Sequence, residues 1–290
     1  MRSPCGAGPA TRSAGRVSVI DTIGLDRPDP ATAAALARLY DLDLVDDPGD
    51  LDLYLALADR AGGSILELGV GSGRLAVPLA EAGHAVTGVD LDHAMLDRAR
   101  TRARSAEDGG ARGTADRLEL IEGDVADLRL PTVGTFALAF IALNSLLVLP
   151  TRVAQQAALR TMAEHLAPGG LAVVDVWIPD AEDLGRFDGR ISLEWPRLDP
   201  ETGAIVTKAG SAQHDAASAT ITLTTIFEEG PQGAAVRRWV RRDRLRLVSA
   251  DELRGFAESA GLVVELIAGD YGLGPMGPGS ERAVLIAVKP

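Results

Sequence analysis

Five short, mostly apolar runs recur between positions 64 and 176. They are 64–68, 85–89, 118–122, 136–143 and 171–176. Such runs predict strands, and the unbroken apolar run 136–143 predicts a parallel strand covered on both faces. Helical spacing lies between them. Leu75 and Leu79 share a stripe, Met95, Ala99 and Ala103 recur at every fourth position, and Leu159, Met162 and Leu166 form a third stripe. Such alternation predicts a doubly wound α/β sheet.

After position 190 the period changes. ISLEW, AIVTKAG, ATITLTTIFEE and AVRRWVRRDRLRLV alternate with period two and are separated by turn residues, which predicts a small antiparallel sheet over 190–248, inserted after the fifth strand. Ser249 and Glu252 then make a capping-box start for a helix, and two strands, 262–267 and 282–288, close the chain. At the other end, residues 1–30 are rich in Gly, Pro, Ser, Ala and Arg without any period, which predicts a disordered tail. Residues 31–60 read as helices leading into the first strand.

The first strand breaks into Gly69-Val70-Gly71-Ser72-Gly73, and the second ends in Asp90. Strand, glycine loop, helix, strand and acid, in that order, make a nucleotide-type pocket in which a ligand can approach bare backbone. A pyrophosphate-binding loop keeps a small residue where this chain has Arg74, and Glu67 ahead of the loop suits an ammonium better than a phosphate.

Composition narrows the partners. The net charge of −12 argues against nucleic acid or an anionic membrane, and no apolar run approaches the roughly 20 residues of a spanning helix. The single cysteine, Cys5, leaves no intrachain disulfide or multi-thiolate metal site and fits a reducing, cytoplasmic setting. The four histidines have no ligand spacing, so no metal is expected; His214 alone lies where a general base could be considered.

The stretch ELGVGSG resembles the first motif of class I S-adenosylmethionine (SAM) dependent methyltransferases, with the nearest likeness to small-molecule members such as the glycine and amino-sugar N-methyltransferases. Further matches follow along the chain: Asp90 and Asp124 at successive strand ends, Asn144-Ser145 after the fourth strand, and Tyr40-Asp41 in the leading helices. The resemblance implies a doubly wound, seven-stranded, Rossmann-like sheet in a domain spanning 31–290, with an antiparallel cap and lid helices. It also implies SAM as cofactor, with Asp90 on the ribose hydroxyls, Asp124 and the Val125 amide on the adenine, and Leu91 and Met95 nearby. Glu67, the Gly69-Gly71-Gly73 loop and the Leu143 carbonyl would take the methionyl ammonium, while Tyr40 would cover the cofactor and Asn144 would line the acceptor pocket.

The expected reaction is methyl transfer to the N or O of a small molecule, by a monomer or homodimer, with catalysis mainly by positioning. A DNA amino-methyltransferase would carry [DN]-P-P-[YF] where this chain has Leu143-Asn144-Ser145-Leu146. A nicotinamide oxidoreductase and a non-catalytic binding module are the alternatives. The six arginines from Arg237 to Arg246 are either a solvated face or a clamp for an acidic acceptor.

Overall fold

The structure is a computed structural model that describes residues 28–46, 48–230 and 235–290, together with the backbone of 17–21. In chain order the elements are β1 (Val17–Asp21), α1 (Pro30–Asp43), α2 (Leu51–Ala61), β2 (Ile65–Leu68), α3 (Ala76–Glu81), β3 (Val86–Asp90) and α4 (His93–Asp108). Then come β4 (Leu118–Glu122), β5 (Phe136–Ile141), α5 (Ser145–Val148), α6 (Arg152–His165), β6 (Leu166–Trp177) and α7 (Ala181–Arg186). The cap strands β7 (Ser192–Leu198), β8 (Ile205–Asp215), β9 (Thr220–Gly230) and β10 (Arg237–Arg246) follow. The chain closes with α8 (Ala250–Ser259), β11 (Val263–Ala268) and β12 (Arg282–Val288).

Seven strands form the central sheet in the order β11-β12-β6-β5-β2-β3-β4. β2 pairs in parallel with both β3 and β5, and β12 is antiparallel to β6 and β11. The chain therefore winds outward from β2 in one direction and returns to wind the other way from β5. That reversal opens a crevice beyond the carboxyl ends of β2 and β5, where doubly wound sheets take their ligands.

Both faces of the central strands are covered, which is why β2, β5, β6 and β12 are mostly apolar, whereas the edge strands β4 and β11 carry exposed positions. Along β5, Leu138 and Phe140 pack with Tyr54 and Leu57 of α2, whereas Ala139 and Ile141 pack with Leu159 of α6 and Phe256 of α8. Residues alternate between two cores because successive side chains on a strand point to opposite faces.

The second sheet has the order β1-β10-β9-β8-β7, antiparallel from β10 to β7. Leu36, Leu39 and Leu42 of α1 pack on Val206, Phe227 and Trp239, so the leading helix is built into the cap. Full burial of such side chains is worth about 1.5–3 kcal/mol each. Arg38 of α1 adds ion pairs to Asp199 and Glu229, two carboxylates buried under the same helix.

One expectation needs correction. Residues 17–21, within the stretch expected to be disordered, form β1, which pairs in parallel with β10 from Val17–Arg238 to Asp21–Arg242. A run with three β-branched residues, Val-Ser-Val-Ile, extends an edge that only the folded cap presents. Residues 1–16 and 22–27 of the expected tail lie outside the described residues.

Candidate functional site

The glycine loop leaves β2 at the crevice. The amides of Gly69 and Val70 both donate to the Val89 carbonyl, at 2.8 and 3.0 Å, which ties the loop to the end of β3. The Gly71 amide donates to Asp90 Oδ2 at 2.8 Å. All three loop glycines have φ in the left-handed region, at 81°, 54° and 79°.

They are glycines for different reasons. A Cβ on Gly69 would lie 3.0 Å from the Ser145 Cβ, and one on Gly73 would lie 3.0 Å from the Ala99 Cβ. A Cβ on Gly71 would meet nothing within 4 Å. Packing against the protein thus accounts for Gly69 and Gly73, while Gly71 opens onto space that a ligand could fill.

Glu67 is buried on β2, two residues before the loop. It accepts the Ala76 amide, while its Oε2 has no hydrogen-bond partner. Burial pushes its carboxyl well above the usual range; the Arg74 guanidinium opposes this, and Asp50 and Asp90 add to it. A buried carboxylate oxygen with no donor is costly, and a cationic group at the loop would satisfy it. An ammonium therefore fits this cradle by its chemistry.

Asp90 closes the next strand, and its Oδ1 accepts the Asp92 amide at 2.9 Å. Each oxygen already holds one backbone amide, and each keeps a lone pair for a ligand hydroxyl. Burial raises its pKa, and the amides of Asp92 and Gly71 pull it back. The Gly123 amide donates to the Asp90 carbonyl at 3.0 Å, so Asp124 follows directly alongside. Asp124 is exposed and its Oδ1 takes the Ala126 amide at 2.9 Å. Val125 is half-buried against the core, Met95 is buried on α4, and Leu91 is an exposed apolar side chain.

A cavity of about 1000 Å³ opens between α1, α4 and β10. Asp90 and Leu91 line one side; Arg98, Glu201, Arg241 and Asp243 line others. Tyr40, half-buried on α1, has its hydroxyl pKa raised by burial, with Arg74 and Arg241 opposing and Asp90 also close enough to act on it. Ser145, the residue after Leu143 and Asn144, packs against Gly69. The sequence candidates thus gather around two strand ends, with Asp124 and Val125 at the flank. Asn144 Oδ1 accepts the Trp177 amide, so that oxygen is committed to the turn.

Several participants escaped the sequence reading. Arg74 makes a bidentate pair with the fully buried Asp50, at 2.6 and 2.7 Å. Asp41 accepts from Ser72 of the glycine loop and from Arg98, each at 2.5 Å, and from Arg102 at 3.2 Å. Arg98 reaches on to Glu201 at 2.7 Å, joining α1, α4 and the cap. In the sequence Arg74 stands out only for its bulk in the loop and Asp41 only beside Tyr40; their ion-pair partners are not legible there.

The arginine stripe resolves into pairs: Arg237 with Glu229, Arg238 with Glu228, Arg241 with Asp243 and Arg246 with Glu252. Of these, Arg241 alone lines the cavity. His214 sits on β8 and does not line it. Among the described residues no cluster of His, Cys, Asp and Glu could hold a metal ion, and no helix is long and apolar enough to cross a membrane.

Residues 65–170 match a family model described as a methyltransferase domain. The cypemycin N-terminal methyltransferase of a Streptomyces species is 26% identical over 230 residues, covering 78% of this chain and 82% of that protein. The dTDP-3-amino-3,4,6-trideoxy-alpha-D-glucopyranose N,N-dimethyltransferase of Streptomyces venezuelae is 28% identical over 218 residues, covering 74% and 80%. Among solved structures, the CcbJ methyltransferase of Streptomyces caelestis superposes with a TM-score of 0.68 at 25% identity, covering 85% of this chain and 95% of that one.

Proposed function

We infer that this chain, a class I SAM-dependent methyltransferase, methylates a nitrogen of a small molecule held between the strand ends and the antiparallel cap. The observation that carries the reading is the shared cavity: Asp90 and Leu91 of the cofactor-type strand end and Arg241 and Asp243 of the cap face the same volume. The relatives whose names specify an amino acceptor support nitrogen over oxygen.

When bound, SAM supplies an electrophilic methyl group on a sulfonium, which the acceptor lone pair takes in line. The chain's own residues then bind and orient. Glu67 Oε2 and the loop backbone would hold the methionyl ammonium, joined by the Leu143 carbonyl. Asp90 would accept the ribose hydroxyls with the lone pairs that its two amides leave free. Asp124 would accept from the adenine, between Leu91 and the Val125 amide, and Met95 would support that pocket from the core side. Gly71 leaves the room in which these contacts form.

Tyr40 and the cap would exclude water from the reacting centre, where fixed dipoles act more strongly. The residual NH2 group of Asn144 would border the acceptor. An amine arrives protonated at neutral pH and must lose a proton before its lone pair can attack; His214 does not line the cavity, and Asp243 lines it already paired with Arg241, so the amine would give up that proton to solvent before the cleft closes. The acidic net charge and the single cysteine support a cytoplasmic setting, with partners that are neither nucleic acid nor membrane.

A matched acceptor panel tests the reading. Small primary and secondary amines should turn over with SAM, while their hydroxyl counterparts should not. Turnover of hydroxyls alone would reassign the attacking atom.

A further inference from the structure

The turn after β5 is strained. Leu143 and Asn144, neither of them glycine, stand in succession at φ 45° and 69°. Left-handed backbone at a non-glycine residue persists only where the surroundings hold it, and such residues gather at functional sites. Here Asp175 of β6 does the holding, and nothing in the proposed methyl transfer has called on it.

Asp175 is fully buried. Its Oδ2 accepts the Leu143 amide at 2.9 Å and the Tyr271 hydroxyl at 2.9 Å. Its Oδ1 takes the Arg282 guanidinium, and its carbonyl accepts the Asn144 amide at 3.2 Å. Two residues on, the Trp177 amide donates to Asn144 Oδ1. One residue therefore grips both strained amides. Arg282, whose guanidinium also lies 4.2 Å from the Tyr271 ring centre, steadies the carboxylate from β12.

The turn so held is in contact with the glycine loop. Gly69 comes so close to Ser145 that a Cβ there would sit 3.0 Å from the Ser145 Cβ. A shift of the turn would therefore displace the loop or leave a gap beside it.

We propose that Asp175, braced by Tyr271 and Arg282, is a positioning residue for methyl transfer: it holds the strained turn 143–145 against the glycine loop and so sets the alignment of donor and acceptor. This rests on the methyltransferase reading given above. Misplacement by a fraction of an ångström at the reacting centre lowers kcat out of proportion to substrate affinity.

The test compares Asp175→Ala, Asp175→Asn and Tyr271→Phe with the wild type in the full-length protein, at a temperature where circular dichroism shows each folded. Asn keeps an oxygen that can accept the Leu143 amide, so it should rescue most of what Ala loses. Asp175→Ala should lower kcat about tenfold or more while acceptor KM stays within about threefold, Asp175→Asn should recover to within about threefold, and Tyr271→Phe should fall between. Hydrogen–deuterium exchange over 142–149, measured without any ligand, should quicken in Asp175→Ala and not in Asp175→Asn.

Exchange and kcat both unchanged in a folded Asp175→Ala would overturn the proposal, as would equal losses in Ala and Asn. If Asp175→Ala does not fold, an exchange rate over 142–149 in Tyr271→Phe equal to wild type overturns it, and a faster rate supports it. A wild-type protein that ignores S-adenosylhomocysteine would instead sink the methyltransferase reading, while the exchange data would still report on the hold.

Discussion

Replacing Gly71 by Ala separates the needs of the ligand from those of the fold. Both Gly71 and Gly73 have positive φ, so an added Cβ costs roughly 1–2 kcal/mol of backbone strain at either place. They differ in what the Cβ meets. At Gly73 it would press on the Ala99 Cβ at 3.0 Å and the Val77 Cγ2 at 3.2 Å, both on helices packed against the loop. At Gly71 nothing of the protein lies within 4 Å.

Gly71→Ala should therefore cost only the backbone term. That corresponds to a Tm drop of about 2–3 °C for a chain of this size, whereas Gly73→Ala should add overpacking of about 1–3 kcal/mol. If the open space above Gly71 is where the cofactor lies, the same methyl group should weaken S-adenosylhomocysteine binding by about tenfold or more, near 1.4 kcal/mol. Isothermal titration and thermal melts of both variants give the two quantities. A Gly71→Ala protein that binds within about threefold of wild type would mean that the space above the loop is not cofactor space.

Asp90→Ala should weaken the same ligand by about 1.5–3 kcal/mol, the worth of a charged hydrogen-bonding partner, and should lower stability as well because the Gly71 and Asp92 amides lose their acceptor; titration calorimetry with unchanged affinity would make Asp90 purely structural. Glu67 has a folded-state pKa above its unfolded value, so its contribution is favourable below the ordinary carboxylate range and is lost as pH rises through the raised value. Melts of ligand-free Glu67→Gln should accordingly gain on wild type from about pH 4 upward, and a constant gap across pH would contradict this. Arg74→Ala, which strands the buried Asp50, should cost about 3–5 kcal/mol in urea unfolding, with Asp50→Asn in the same chain recovering part of it. Exchanging 190–248 for a related cap should change the acceptor and leave cofactor affinity within about threefold, and a folded chimera with its acceptor unchanged would contradict the division.

What could be read from the chain was what is local. Glycine spacing, the acid one strand later and the change of period after position 190 each lie within a few tens of residues, and each corresponds to an element in the structure. What could not be read depends on distant partners. β1 exists as an edge of β10, more than 200 residues away, so its Val-Ser-Val-Ile run looks like tail composition until the cap is folded. Asp175 is a single polar residue within the run 171–176, and nothing near it in the chain marks it out, because its partners Leu143, Tyr271 and Arg282 come from three other segments. Arg74 was legible only as a residue too large for a dinucleotide loop; its partner Asp50 lies in the segment before α2. Asn144 was expected to serve the pocket, and the structure first uses its oxygen to hold the turn.

The central claim is transfer of a methyl group from SAM to a small amine. It is tested most directly by incubating the wild-type protein with deuterated-methyl SAM and a mixture of small amines or a cell extract, then following products by mass spectrometry. The account predicts a low-molecular-mass amine that gains one deuterated methyl, formed in step with S-adenosylhomocysteine and formed more slowly by Gly71→Ala at limiting SAM. Label on protein or nucleic acid only, or no label on any small molecule while S-adenosylhomocysteine binds normally, would contradict it.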